Sequence, residues 1–205
     1  YDIAGNFAGS KFAGTGNFQN PVSIKKREIG NYWTNNRIFG NLWAEADLWK
    51  GLTLRTNFGL DYTNNYSYNM NKMNPECSES AMENSLEERS GFNYRWIWTN
   101  TLTYNATFNE VHKLTVLLGT EAIRDGLGRS MYGKRFNYMY EDNEDTWVLN
   151  MGENNGRRIT ESSYNGEFAL FGLFGRVDYT FADKYLATVI VRRDGVSRFA
   201  THTRY

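Results

Sequence analysis

Along much of this chain apolar and polar residues alternate with a period of two, the spacing of a strand with one apolar face rather than of a helix. Between 38 and 48, Ile38, Gly40, Leu42, Ala44, Ala46 and Leu48 alternate with Phe39, Asn41, Trp43, Glu45 and Asp47, and the pattern stops at Trp49-Lys50-Gly51. The stretch 52–63 is the cleanest. Leu52, Leu54, Thr56, Phe58, Leu60 and Tyr62 share one face, and Thr53, Arg55, Asn57, Gly59, Asp61 and Thr63 share the other. A third strand, 92–108, sets Phe92, Tyr94, Trp96, Trp98, Asn100, Leu102, Tyr104, Ala106 and Phe108 against Asn, Arg and Thr positions broken only by Ile97. After a turn over 109–113, Leu114, Val116, Leu118, Thr120 and Ala122 mark a fourth strand at 114–123, with Leu117 a blemish on its polar face. The last two strands, 166–181 and 185–199, meet at Ala182-Asp183-Lys184. They point Ala169, Phe171, Leu173, Gly175, Val177, Tyr179 and Phe181, and then Ala187, Val189 and Val191, to the apolar side.

The intervening segments are polar. Residues 1–37, rich in Gly, Asn and Ser and then basic at Lys25-Lys26-Arg27, read as a connector. Residues 64–91 read as a long loop with a short helix over 78–88, begun by a serine cap and spacing Met82 and Leu86 four apart. Residues 124–165 read as a second long loop. Six strands with alternately short and long connections match the short turns and long outer loops of an outer-membrane barrel. The longest apolar run, Phe168 to Phe171, is far below the roughly 18–20 residues of a membrane helix. A barrel strand needs only roughly 9–11 residues and faces lipid with every second one.

A soluble antiparallel sandwich alternates in the same way and stays as the alternative. Against it stand strands well beyond the usual 5–6 or so residues and loops beyond about 15. Ring placement adds a second argument, since aromatic girdles mark the two interfaces of a barrel. Trp49, Tyr104, Phe108, Tyr179, Phe181 and Tyr185 lie beside short turns, and Tyr62, Phe92, Tyr94 and Trp96 beside a long loop. Six strands do not close a barrel, whose smallest examples have roughly 8. With its start at Tyr1 and its stop at Arg204-Tyr205, directly after a patterned segment, the chain reads as a fragment of a longer one.

Charge and chemistry narrow the functional classes. Lys plus Arg and Asp plus Glu are 23 each, so the electrostatic footprint of a nucleic-acid binder is missing. Aromatics at 16% argue against wholesale disorder. The single cysteine, Cys77, has no partner for an intrachain disulfide and reads as an incidental loop thiol. Glu87-Glu88 and the run Glu141-Asp142-Asn143-Glu144-Asp145 are the only carboxylate clusters, and neither has the fixed separation a glycosidase needs. The acidic run lacks the calcium-loop order, with its glycine at the sixth position, and reads as solvated. His112 and His202 stand apart, which leaves no zinc set. No phosphate loop or nucleophile motif occurs, so neither a cofactor nor an enzymatic activity is expected.

Several blocks resemble the barrel of SusC/RagA-type TonB-linked outer-membrane transporters. They are Gly40-Asn41 through Lys50-Gly51-Leu52, Arg55-Thr56-Asn57-Phe58-Gly59 and Leu118-Gly119-Thr120-Glu121. The strongest are Phe174-Gly175-Arg176-Val177-Asp178-Tyr179, Asp183-Lys184-Tyr185-Leu186 and Arg192-Arg193-Asp194-Gly195-Val196-Ser197-Arg198-Phe199. Val196 departs from the serine, and Ala200 from the glycine, common in the family.

The resemblance implies an all-β fold: residues 38–205 would be an antiparallel transmembrane segment of a barrel of roughly 22 strands enclosing a plug. It further implies an outer-membrane importer of glycans or peptides in a Gram-negative bacterium. Its partners would be a SusD-like surface lipoprotein, and TonB through a part of the parent outside this chain. Arg176, Asp178, Asp183, Lys184, Tyr185, Arg192, Arg193, Asp194, Gly195, Ser197, Arg198 and Phe199 form the family signature. Arg192, Arg193, Asp194 and Arg198 either pair in the lumen or with the plug, or form inter-strand pairs and a wall-end turn at Asp194-Gly195. Tyr66, Tyr68, Tyr132, Tyr138, Tyr140 and Trp147 either contact ligand or lipoprotein or pack the loops together. A soluble or surface-attached β-rich glycan-binding module is the second reading, and an enzyme on a β-scaffold the third.

Overall fold

Period-two patterning becomes a single antiparallel sheet in the structure, a computed structural model describing residues 1–11, 14 and 16–199. Ala200 and His202, singled out in the sequence, lie outside the described residues. Seven strands are present among them: β1 (Tyr32–Trp49), β2 (Leu52–Asn71), β3 (Ser85–Phe108), β4 (His112–Phe136), β5 (Ile159–Tyr164), β6 (Phe168–Phe181) and β7 (Tyr185–Val196). Hydrogen-bonded neighbours follow the order β1-β2-β3-β4-β6-β7, with β5 also paired to β4. Turns of a few residues join β1 to β2, β3 to β4 and β6 to β7. Asn109-Glu110 and Ala182-Asp183 each hold two successive left-handed residues, with φ of 48° and 60° and of 49° and 54°. Such pairs match the right-handed twist of the strands they connect. No helix among the described residues is long and apolar enough to cross a membrane.

The strands outrun the hydropathy pattern. Residues 64–71 extend β2 and residues 85–91 belong to β3, so neither the long loop over 64–91 nor the helix over 78–88 exists; the loop is confined to 72–84. Alternation had persisted there in muted form, with Tyr66, Tyr68 and Met70 set against Asn65, Ser67, Asn69 and Asn71. Likewise β4 runs to Phe136, and β5 occupies a stretch read as loop. Polar side chains suffice in these extensions because ladder hydrogen bonds hold a strand whatever its faces carry. The connector over 1–37 contains a helix, α1 (Pro21–Arg27), as well as the start of β1. Asn20 caps α1 by accepting from the Val22 N–H at 2.9 Å, Pro21 opens it, and Lys25, Lys26 and Arg27 close it. With fewer than two turns, it is too short to show a period.

The chain divides into two compact units. The first comprises 1–36, 64–92 and 129–163; the second comprises 37–63, 93–128 and 164 onward; β2, β3 and β4 contribute residues to both. In the first unit Met70, Leu86, Tyr138 and Trp147 form a buried cluster, with Tyr68 and Leu149 packed against it. Cys77, in the loop over 72–84, is buried in the same unit, and burial pushes its thiol pKa up, as for an enclosed, unreactive thiol. In the second unit the apolar side chains stay uncovered: Leu118 is 58% exposed, Leu186 77% and Val189 62%. No second sheet packs on them among the described residues.

Candidate functional site

Register defines the two faces of the second unit, because residues opposite one another in a ladder share a face. On one face Leu114, Tyr179 and Ala187 stand side by side, followed by Val116, Val177 and Val189, and then by Leu118, Gly175 and Val191. The polar side chains of this face hand hydrogen bonds along the sheet. Trp98 Nε1 donates to Thr56 Oγ1 at 2.9 Å, Thr56 Oγ1 to Asn100 Oδ1 at 2.7 Å, and Asn100 Nδ2 to Thr120 Oγ1 at 3.4 Å. Polar atoms facing an apolar medium need such internal partners. Rings gather near the short turns, where His112 Nδ1 lies 2.6 Å from the Tyr179 hydroxyl and 5.1 Å separates the His112 and Phe181 centroids. Phe181 in turn stacks on Tyr185.

Charge concentrates on the opposite face. Arg192 donates through Nε to Asp194 at 2.8 and 2.9 Å and through Nη2 to Glu121 at 2.6 Å, while its guanidinium lies 5.5 Å from the Phe174 ring centroid. The far end of the Phe174 ring in turn covers Gly119, where any Cβ would collide with it. Arg176 pairs with Asp178 at 2.7 Å, and the Thr188 hydroxyl donates to Asp178 at 2.7 Å. These contacts are inter-strand or within one strand, and no turn forms at Asp194-Gly195, since β7 continues to Val196.

Arg193 stands apart from Arg192, Asp194 and Arg198, with which it was grouped above. It lies opposite Leu173, on the apolar face and away from Arg192 and Asp194, because adjacent strand residues point to opposite sides. Elsewhere in the signature, Asp183 pairs with Lys113 at 2.5 Å, Lys184 lies over the Tyr185 ring and Arg198 over that of Phe168. Ser197 is bonded to Ala169 through both its N–H and its hydroxyl oxygen.

Side chains of β3 and β4 pair along their ladder: Asn105 accepts from Thr115, Arg95 faces Asp125, Arg89 lies on Tyr132 and Glu87 takes Lys134. Within β4, Gly126 is left-handed, with a φ of +71°.

In the first unit the aromatic residues divide by burial. Tyr138 and Trp147 are each only 4% exposed and therefore pack the loop instead of meeting a ligand. Desolvation pushes the Tyr138 hydroxyl up to about 12, and that hydroxyl donates to the Val148 carbonyl at 3.1 Å. Tyr66 and Tyr68 belong to a ring array with Tyr32, and Tyr68 meets Trp147 edge-on at 6.3 Å. Tyr140 is exposed. Tyr132 lines a polar groove of about 610 Å³, beneath an Arg89 guanidinium 4.4 Å from its ring centroid. The same groove holds Asn65, Glu161 and the paired hydroxyls of Ser130 and Ser163, 2.7 Å apart. Sequence reasoning had passed over these four, since serine and asparagine in a polar stretch carry no pattern until β4 and β5 align them. Among the described residues no group of three or more His, Cys, Asp or Glu is placed to hold a metal ion.

No protein-family model matches the chain. Curated relatives do match. TonB-dependent receptor P39 of Formosa agariphila is 27% identical over 213 residues, covering 97% of this chain and 18% of that protein. TonB-dependent receptor P3 of the same organism is 30% identical over 187 residues, covering 89% and 17%. The chain thus spans less than a fifth of the length of the curated relatives it matches. Among solved structures, the RagAB peptide importer in its open-open state aligns with all of this chain and 22% of its own, at a TM-score of 0.77 and 25% identity. In the closed-closed state it aligns over 85% of this chain and 19% of its own, with a TM-score of 0.73 and 25% identity. These relatives are named as receptors and importers, not as enzymes.

Proposed function

We propose that this chain, a SusC/RagA-like segment of a TonB-dependent transporter, forms part of the wall of an outer-membrane importer of glycans or peptides in a Gram-negative bacterium. The observation that carries the reading is the division of the sheet into two faces. One is apolar in successive register rows and bordered by rings, and the other bears Arg192, Glu121, Asp194, Arg176 and Asp178. Such a sheet suits lipid on one side and a polar lumen on the other. The parent would add the remaining strands, a plug and the segment that engages TonB, and a SusD-like lipoprotein would close its outer mouth. The likeness to RagAB supports the two-protein arrangement. The signature residues serve as wall structure in this reading: Arg176, Asp178, Arg192 and Asp194 are engaged within their own strands and across the sheet.

Cell fractionation tests the proposal. An antibody raised against residues 72–84 should detect, in native cells, an outer-membrane protein much heavier than 23.8 kDa that co-purifies with a lipoprotein. A soluble band near 23.8 kDa would instead establish a free β-rich binding module.

A further inference from the structure

The groove of the first unit has a chemistry of its own. Its lining is mostly hydroxyl and amide, with Met131 and Tyr132 its only apolar side chains. A hydroxyl both donates and accepts, so the Ser130 and Ser163 pair can exchange its mutual 2.7 Å contact for bonds to a ligand whose groups also do both. The Arg89 guanidinium lies over one face of the Tyr132 ring, 4.4 Å from its centroid. The guanidinium offers a planar fork that spans neighbouring oxygens, and the phenol ring offers an apolar plate.

Charge in the groove is balanced. Arg89 and Glu161 are its two lining residues with charged side chains, and beside it Glu87 pairs with both Lys134 at 2.7 Å and Arg89 at 3.8 Å. A polyanion or polycation would find no field to favour it. Apolar peptide side chains would find little to bury against, whereas ligand pockets for such groups are lined mainly by hydrophobic residues. A pyranose ring meets every requirement, with a C–H face for the ring plate and adjacent hydroxyls for the guanidinium fork, Asn65 and the serines.

We infer that this groove binds an uncharged sugar unit of an oligosaccharide, with Tyr132 and Arg89 as its platform and Ser130, Ser163 and Asn65 as its hydroxyl readers. The inference rests on the transporter reading and selects glycan over peptide within it, although the solved relatives are peptide importers.

The test uses the full-length protein purified from outer membranes in detergent. The probes are a panel of fluorescent neutral oligosaccharides (malto-, xylo-, manno- and laminari-series) and, as competitor, a tryptic digest of casein. At least one neutral oligosaccharide should bind and resist competition by the digest. Tyr132→Ala should weaken that binding by about tenfold or more, and the Ser130→Ala, Ser163→Ala double variant by a similar factor. Tyr132→Phe, which keeps the ring, should restore it, and heat-modifiable gel mobility should show each variant folded. Failure of the whole panel to bind, displacement by the digest, or undiminished binding in Tyr132→Ala would each overturn the inference. Outer-membrane recovery with binding of peptides alone would sink the sugar site and leave the transporter standing. Recovery only in the soluble fraction would sink the transporter reading itself.

Discussion

Arg27 and Glu76 tie α1 to the loop between β2 and β3, with Nη2 donating to Oε2 at 2.9 Å and both side chains largely covered. The guanidinium beside it holds the Glu76 carboxyl below its ordinary value of 4.5. A depressed carboxylate pKa contributes stability that is present above the unfolded value and is lost as pH falls through the folded one. Protection factors of residues 72–84, taken relative to intrinsic exchange at each pH, should therefore fall as pH drops below about 4.5, reflecting loss of about 1–3 kcal/mol. Glu76→Gln should have low protection factors already at neutral pH, with little acid dependence in them. An acid response as large in the variant as in the parent would assign it to other groups. Trp147 holds the same unit by burial, so Trp147→Ala should cost about 3–5 kcal/mol of local stability, read as faster proteolysis within 137–158.

At the scale of the elements, β4 carries a left-handed residue inside the strand. Gly126 has a φ of +71°, and a Cβ there would press on the Gly166 backbone. Left-handed backbone costs an L-residue roughly 1–2 kcal/mol before any clash is added. Gly126→Ala should consequently lower the urea midpoint of the refolded parent barrel, while Gly40→Ala, whose Cβ meets nothing within 4 Å, should leave it nearly unchanged. Equal midpoints would show that β4 does not depend on a glycine at 126. The same element explains why its outer half escaped pattern reading. Past Ala122 the chain passes into Arg124, Asp125 and three nearby glycines, and β4 persists because β3 and β5 flank it.

For the molecule as a whole, the decisive quantity is the difference between the two faces of the sheet. Phe58 stacks on Trp96 at 6.2 Å on the apolar face, while Asn57 accepts from Asn41 Nδ2 at 2.9 Å on the other. Phe58→Arg in the full-length parent should cost about 2–4 kcal/mol of barrel stability, as a cation facing lipid near mid-membrane does. Asn57→Arg should cost well under half of that, since it loses one exposed hydrogen bond and stays in a polar lumen. Matching losses in denaturant titrations would contradict a lipid-facing side.

Alternation along single strands was legible directly, because a strand's period of two needs no partner to be visible. It located the apolar face from Leu114 to Ala122, from Ala169 to Phe181 and from Ala187 to Val191, and the register joins these into one surface. The resemblance through Arg192 to Phe199 likewise required only order and spacing. Tertiary structure decided what depends on neighbours. It set Arg193 apart from Arg192, buried Tyr138 and Trp147, and extended β2, β3 and β4 through polar sequence. It also brought Arg89, Ser130, Tyr132 and Ser163 to one groove. A ladder hydrogen bond is indifferent to side-chain polarity, and the contacts among β3, β4 and β5 join residues some thirty to forty positions apart, so neither leaves a mark on the local pattern.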